Sequence, residues 1–484
     1  MRQAQPAALA AIAAAAFSMA SPAQSADTLV TRNALGRLGT FSTNQFDAGA
    51  TNGFFAALGT NGRTCGTCHV HGQAESFTPA HARSVALRNG NDPLFAPADG
   101  SDCAPTSPTQ PADARKSSLV LRYGLIRVQR AIPATADFSL SSASNPKNCQ
   151  IPPGDAAIDG HLYLFRRPLP SANLPFLSTV MWDGRETVQA ITTATGLKRL
   201  GPLLSDLSGQ ANSATLDHAQ ATQPITGTPA QRDMVTFEVG IYTAQQTLGL
   251  LDLTAGNGGA RHLAHVTAPG FFIGQNDTFA SDFTSRVFTL YSAWEPGNGT
   301  VSTGLRAAIG RGEKLFNERK FTIANVAGLN SASSDPLYNA ADPLANQPIT
   351  GTCGTCHNTP NVGNHSSPLA INIGVSMAVP TDNNGRSIAG ILDVRSLPVY
   401  TLSASRSAAT VRVTDPARAL ITGKWTDIGK TKGPVLRGLA ARPPYFHNGS
   451  APDLLTAVKF YNARFNMGLT SAEMADLATF LAAL

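Results

Sequence analysis

Cys65-Gly-Thr-Cys68-His69 and Cys353-Gly-Thr-Cys356-His357 are one pentapeptide written twice, and they decide how the rest of the chain is read. Two thiols at this spacing can add to the two vinyl groups of a haem, and the adjacent histidine then reaches the iron. A thioredoxin-like redox motif explains the units poorly, because it lacks the histidine, occurs once per domain and follows a strand, whereas both units here sit in Gly/Thr-rich sequence. A shared zinc site would have to join two distant pairs that each already carry a histidine. Cys65, Cys68, Cys353 and Cys356 are therefore read as attachment points for two c-type haems, with His69 and His357 as iron ligands.

Six cysteines are present, so Cys103 and Cys149 remain. They lie in a Pro/Ser/Asn-rich stretch, Asp99 to Pro153, and in an oxidising compartment a disulfide is the simplest fate, two free buried thiols being the alternative. The compartment is read from the start of the chain. Met1-Arg2, the apolar run Ala7 to Met19 and the small residues Ser21 to Ser25 resemble an export signal over residues 1–25, which predicts a periplasmic mature protein. That run is too short to span a bilayer, and no later segment approaches the ~20 apolar residues a membrane helix needs. No membrane span is expected.

Hydrophobic residues make up 42% of the 484 and charged residues 14%, with 43 Gly and 32 Pro, which describes a globular chain rich in ordered loops. The net charge of +6 is spread rather than gathered into a Lys/Arg block, so nucleic-acid binding is not expected. A basic surface can still steer an acidic redox partner. The predicted fold is mainly α, two cytochrome c-like haem domains with long loops and little β structure. Residues 26–298 form the first domain, with insertions, and residues 299–484 the second, the boundary falling near Trp294 to Val301 in Glu-Pro-Gly-Asn-Gly. Leu38-Gly39-Thr-Phe41 before the first motif and Ile309 to Phe316 before the second suggest a duplicated helix-then-motif layout. Leu454, Leu455, Val458 and Tyr461 share a helical face after Asp453, and Thr470-x-x-Glu473 is a capping box before a second apolar helix. Ser118 to Val128 and Val411-Arg-Val413 are the best strand candidates.

Three further stretches narrow the function: Met181-Trp182-Asp183-Gly184-Arg185, Gly433-Pro-Val-Leu436-Arg437-Gly438-Leu439, and Pro444-Tyr445-Phe446-His447-Asn448-Gly449 followed by a helix. With the two haem motifs around them, the sequence resembles the bacterial diheme cytochrome c peroxidase superfamily, which includes the diheme maturase of methylamine dehydrogenase. The resemblance implies that His69 anchors the haem that meets hydrogen peroxide, that His357 anchors an electron-transfer haem, and that Trp182 lies between them, with Arg185 beside it. It implies a small periplasmic electron donor, a cytochrome c or copper protein, and allows a homodimer. It also implies a calcium ion between the modules, for which Asn173 is the candidate ligand.

The chain departs from the family pattern in two places. Counting on from Gln210-Ala211 puts Gln220 where the family has an acidic residue, and since an amide cannot accept a proton, acid-base work would pass to His218 or Asp217. The sixth ligand of the second haem, commonly Met, aligns with Tyr461, as in the maturase branch, with Met467 and Met377 as alternatives. A phenolate favours oxidised iron over a thioether and so favours sharing oxidising equivalents over both haems. His71, His81 and His161 are all open as distal groups at the first haem, and Arg166-Arg167 are candidates for meeting haem propionates. Three functions follow: a diheme peroxidase, a maturase-like oxidase acting on a protein substrate, and a diheme electron carrier without substrate chemistry.

Overall fold

The structure, a computed structural model, describes residues 28–44, 52–105, 107, 110–147, 149, 161–187, 200–298, 303–331, 344 and 346–484. The expected export signal and the expected boundary at 298/299 fall at or beyond the limits of these residues. Among them the strands are β1 Thr28–Asn33, β2 Gly36–Ser42, β3 Ile126–Ala131, β4 Phe138–Ser144, β5 His161–Arg166, β6 Ile241–Leu248, β7 Leu251–Asp252, β8 Phe321–Ile323, β9 Ile349–Gly351, β10 Ala370–Ile371, β11 Val399–Ala404, β12 Thr410–Val413 and β13 Thr431–Lys432. The helices are α1 Pro79–Arg88, α2 Ser118–Tyr123, α3 Leu200–Asp217, α4 Pro229–Gly240, α5 Ala260–Gly270, α6 Gly304–Glu318, α7 Ala419–Thr422, α8 Leu454–Phe465 and α9 Ser471–Ala482.

This corrects the expectation of a mainly α chain with little β structure. Of the described residues 32% are helical and 18% are in strands, and the strands form several sheets. The strands run in the order β1-β2-β6-β7 in one antiparallel sheet and β12-β11-β4 in another, with the pairs β3-β5, β8-β9 and β10-β13 beside them. The loops expected between haem motifs hydrogen-bond to one another over long separations, so short segments without clear alternation become strands. Leu38 to Phe41, read as the trace of a helix before the first motif, lies in β2, whereas Ile309 to Phe316 does lie in α6. Of the two strand candidates, Val411 to Val413 is within β12, and Ser118 to Val128 divides into α2 and the start of β3.

The C-terminal helices form as their patterns predict. Asp453 caps α8 by accepting from the Thr456 amide at 2.7 Å, and the Thr470/Glu473 box closes on the first turn of α9. Helix α9 crosses α6 so closely that a Cβ on Gly312 would meet the Asp476 carbonyl oxygen at 2.3 Å. Phe288, Phe316 and Phe480 fill that crossing edge to face, in a core that continues to Cys353 and Cys356. Phe54, Phe237 and Met234 build a smaller core against Cys65. Cys103 and Cys149 form the expected disulfide, with Cα atoms 5.3 Å apart.

Candidate functional site

The two Cys-x-x-Cys-His units fold alike. Each begins as one 3-10 turn, Cys65–Thr67 and Cys353–Thr355, after a threonine whose amide donates to the next threonine's hydroxyl: Thr64 to Thr67 at 3.0 Å and Thr352 to Thr355 at 2.9 Å. The histidine amide then donates to the first cysteine's carbonyl at 3.0 Å in both units. A side chain at the central glycine would obstruct this turn, since a Cβ on Gly354 would meet the Ser285 carbonyl oxygen at 2.6 Å.

Both imidazoles are fixed from behind. Nδ1 of His69 lies 2.9 Å from the carbonyl oxygen of Glu75, and Nδ1 of His357 lies 2.6 Å from that of Gly363, six residues on in each case. A carbonyl only accepts, so Nδ1 carries the proton in both rings and Nε2 keeps its lone pair, the tautomer a metal-ligating histidine needs. Burial holds each imidazole at about 4. His69 has a second partner, the Ser171 hydroxyl at 2.9 Å. Burial pushes all four thiols up, Cys353 and Cys356 to about 12, and none of the four is in a disulfide.

Each unit opens on its own largely apolar cavity. The first is lined by Cys65, Cys68 and His69 and the second by Cys353, Cys356 and His357, with volumes of about 1550 and 1510 Å³ counted out to their open mouths. Arg167, Pro168, Trp182, Lys432 and Pro434 lie on both walls. Trp182 is buried, its indole N–H donates to the Arg167 carbonyl at 2.8 Å, and its ring meets that of His447 edge to face at 6.1 Å.

Arg166 and Arg167 divide in role. Arg166 donates to Asp183 at 2.6 Å and to both oxygens of Asp415 at 2.7 and 3.0 Å, so it is committed to two buried carboxylates. Those charges hold both carboxyls below the usual range against the opposing effect of burial. Arg185 also donates to Asp183 and faces the first cavity. Arg167 is buried, its guanidinium lies over the Phe77 ring, and its hydrogen-bond partners among the described residues are backbone carbonyls, including Gly124 at 2.9 Å. Burial, with Arg442 nearby, lowers its guanidinium to about 9. Arg442, on the second cavity, donates to the Val435 carbonyl, and burial lowers it to about 10. Buried cations without a carboxylate want an anion.

These observations test the fit of one haem per motif. Thiol pairs and tautomer-fixed imidazoles open on apolar cavities of matching size, and Arg167 and Arg442 supply charge suited to propionates. The residues fit.

In the first cavity the structure brings His218 to the wall and leaves the other distal candidates elsewhere. His71 pairs with Glu75 at 2.7 Å against Phe55 and Phe237, His81 sits in the first turn of α1 facing a surface cleft, and His161 opens β5. Gln220 is exposed beyond the end of α3, with φ +57°, and does not line the cavity. Asp217 is more than half exposed and reaches toward Arg130 at 3.9 Å. His218 points Nδ1 at Asp99 at 2.5 Å, and Asp99 is itself held by Arg63. Burial, then the charge of Arg63, lowers His218 to about 4, so it is neutral near pH 7 with Nε2 as the remaining nitrogen.

Sequence reasoning missed Asp99, and Glu238 as well. Glu238 is a buried carboxyl on the first cavity beside Ser171, with burial raising it to about 7 and one oxygen without a partner. In the second cavity, Tyr461 and Met467 both line the wall, whereas Met377 packs against the β12-β11-β4 sheet. The Tyr461 ring lies 6.4 Å from that of His357 and stacks on Phe465. His365, also missed, lines the same wall with its ring 6.3 Å from that of His357 and its Nδ1 2.9 Å from the Leu369 carbonyl. Asn173, the calcium candidate, lines neither cavity. Its Oδ1 accepts from the Thr243 amide at 3.1 Å and its Nδ2 donates to the Thr243 carbonyl at 3.1 Å, so its side chain does not fit that role.

Among the described residues no helix is long and apolar enough to cross a membrane. Comparisons with protein-family profiles and with curated proteins find no match. Among solved structures, the crystal structure of the diheme peroxidase BthA from Burkholderia thailandensis E264 is similar at 15% sequence identity, covering 89% of this chain and 83% of that one, with a TM-score of 0.27.

Proposed function

We propose that this chain is a periplasmic c-type diheme peroxidase that reduces hydrogen peroxide to two waters with two protons and two electrons from a small redox protein. The observation that carries the reading is the pairing of sites: His218, backed by Asp99, faces the cavity of His69, and Trp182 belongs to the walls of that cavity and of its neighbour. When bound, the haems supply the redox chemistry that O–O cleavage requires. The protein supplies the rest. Neutral His218 accepts a proton from the near oxygen of peroxide and delivers it to the departing one, Asp99 holding its tautomer. Arg63 and Arg185 add positive charge on the same wall. Trp182, packed between the cavities, offers an oxidisable π-system for electrons arriving by way of the His357 site.

Tyr461 on the second wall supports a second reading, oxidation of a protein substrate in the manner of a maturase, since a phenolate stabilises oxidised iron. A haemochrome assay of the purified chain together with peroxide turnover against a reduced cytochrome c tests both. Two haems with sustained turnover are expected. Rapid reaction with peroxide but negligible turnover would favour the maturase reading, and two haems without any peroxide reaction would leave an electron carrier.

A further inference from the structure

A surface cleft of about 1280 Å³, counted out to its open mouth, lies behind the second cavity, and the segment 439–445 separates the two. Leu439, Arg442 and Tyr445 line the second cavity, Ala440, Ala441 and Pro443 line the cleft, and Pro444 lines both, so at Pro444 the wall is one residue thick. The wall is braced. The Tyr445 hydroxyl donates to the Leu439 carbonyl at 2.9 Å, and Arg167 donates to the Arg442 carbonyl at 3.3 Å.

The rim of the cleft is cationic. Arg32 on β1, Arg83 on α1 and Arg122 on α2 stand exposed around it. Asp393 is the one carboxylate among its described lining residues, and it is already paired by Arg122 at 3.3 Å and Arg395 at 3.1 Å. Arg32 and Arg83 thus carry charge that no lining carboxylate offsets. Guanidiniums on three separate elements at a rim do not converge on one small anion. A charged rim around a floor of alanine and proline is instead the make-up of a protein-protein contact surface, and its excess positive charge attracts an acidic partner. The net charge of +6 acts in the same sense.

We infer that this cleft is where an acidic redox protein docks and passes electrons to the second site across the 439–445 wall. The inference rests on the peroxidase reading. Each docking event moves one electron and breaks no bond: the donor is oxidised by one, the second site is reduced by one, and two such events serve one peroxide.

The test uses the purified holoprotein, oxidised with peroxide and then mixed in stopped flow with reduced plastocyanin, which has an acidic face, or with reduced mitochondrial-type cytochrome c, which is basic. The variants are Arg32→Glu with Arg83→Glu and, as a control of equal net charge, Arg232→Glu with Arg406→Glu, exposed positions outside the cleft. For the acidic donor the bimolecular rate constant is expected to fall as salt rises from about 0.01 M to about 1 M and the Debye length contracts from ~30 to ~3 Å. At low salt the cleft pair should lower it about 10- to 10³-fold, the range of electrostatic steering. The control pair should lower it far less, and the reaction of the cleft variant with peroxide alone should be unchanged, which separates docking from misfolding. A rate constant insensitive to the cleft pair, lowered equally by both pairs, or larger for the basic donor would overturn the inference. Saturable inhibition by inorganic phosphate at constant ionic strength would give the cleft to a small anion and overturn it as well. A haemochrome count below two, or a wild type inert to peroxide, would defeat the peroxidase reading and this inference with it.

Discussion

Asp99 and His218 meet at 2.5 Å although 119 residues separate them, and Arg63 holds the same carboxylate from the other side. A histidine so backed keeps one tautomer and one orientation. Replacing His218 by Ala is expected to lower the rate of reaction with peroxide about 10²- to 10⁴-fold, the range of a general acid-base group, with haem content unchanged. Because His218 protonates only at about 4, the wild-type rate should stay level from neutral pH down to mildly acidic pH and fall as that value is approached. Stopped-flow traces across pH check both. A rate unchanged in H218A would remove His218 from the mechanism.

Trp182→Phe keeps an aromatic ring in the shared wall and deletes the bond to the Arg167 carbonyl. Adding one equivalent of peroxide to the wild type should change the absorption of both haems. In W182F the response of the second haem should be slowed or lost, while the first still reacts. Equal responses in both proteins would reduce Trp182 to packing.

Tyr461 and Met467 share the second wall, so their variants discriminate. Tyr461→Phe should alter the resting spectrum of the second haem, and Met467→Leu should leave it in place. The reverse pattern would assign the ligand to Met467, and no change in either would turn attention to His365.

Glu238 gives a stability prediction with a definite sign. Its folded value near 7 lies above the ordinary carboxyl value of 4.5, so the folded state holds more protons in that interval. The associated stability is present below pH 4.5 and is lost as pH rises through 7. Glu238→Gln should therefore unfold at a higher temperature than the wild type at pH 8 and at nearly the same temperature at pH 4.5. Calorimetric midpoints at the two pH values decide it, and an equal offset at both would contradict the argument.

Arg166→Leu would leave Asp183 and Asp415 buried without their shared partner. Losing one member of a buried ion network costs about 3–5 kcal/mol. A denaturation midpoint within error of the wild type would show that water or another cation replaces Arg166.

What could be read in the sequence was local. The caps at Asp453 and Thr470 and the apolar faces of α8 and α9 depend on residues a few positions apart, and each formed as expected. The strands were harder, because β4 pairs with β11 across more than 250 residues and, although β11 alternates, β4 does not and their register shifts between Thr401 and Leu402. The site shows the same division. His218 was named because it stood near an expected position, whereas Asp99, Glu238 and His365 carry no spacing signal and acquire meaning only through what packs beside them. Gln220 shows the reverse case: counting along the chain runs past the end of α3, to a position where the backbone turns out toward solvent.

The β4-β11 pairing bears on how the molecule comes apart. A strand from before residue 298 is hydrogen-bonded to one from after residue 303, and Arg166 reaches across the same divide to Asp415. A protease nick at the junction would accordingly yield a non-covalent complex of two fragments that migrate together until denaturant is added. Either fragment made alone would expose the strand edge and the buried charge that the other covers.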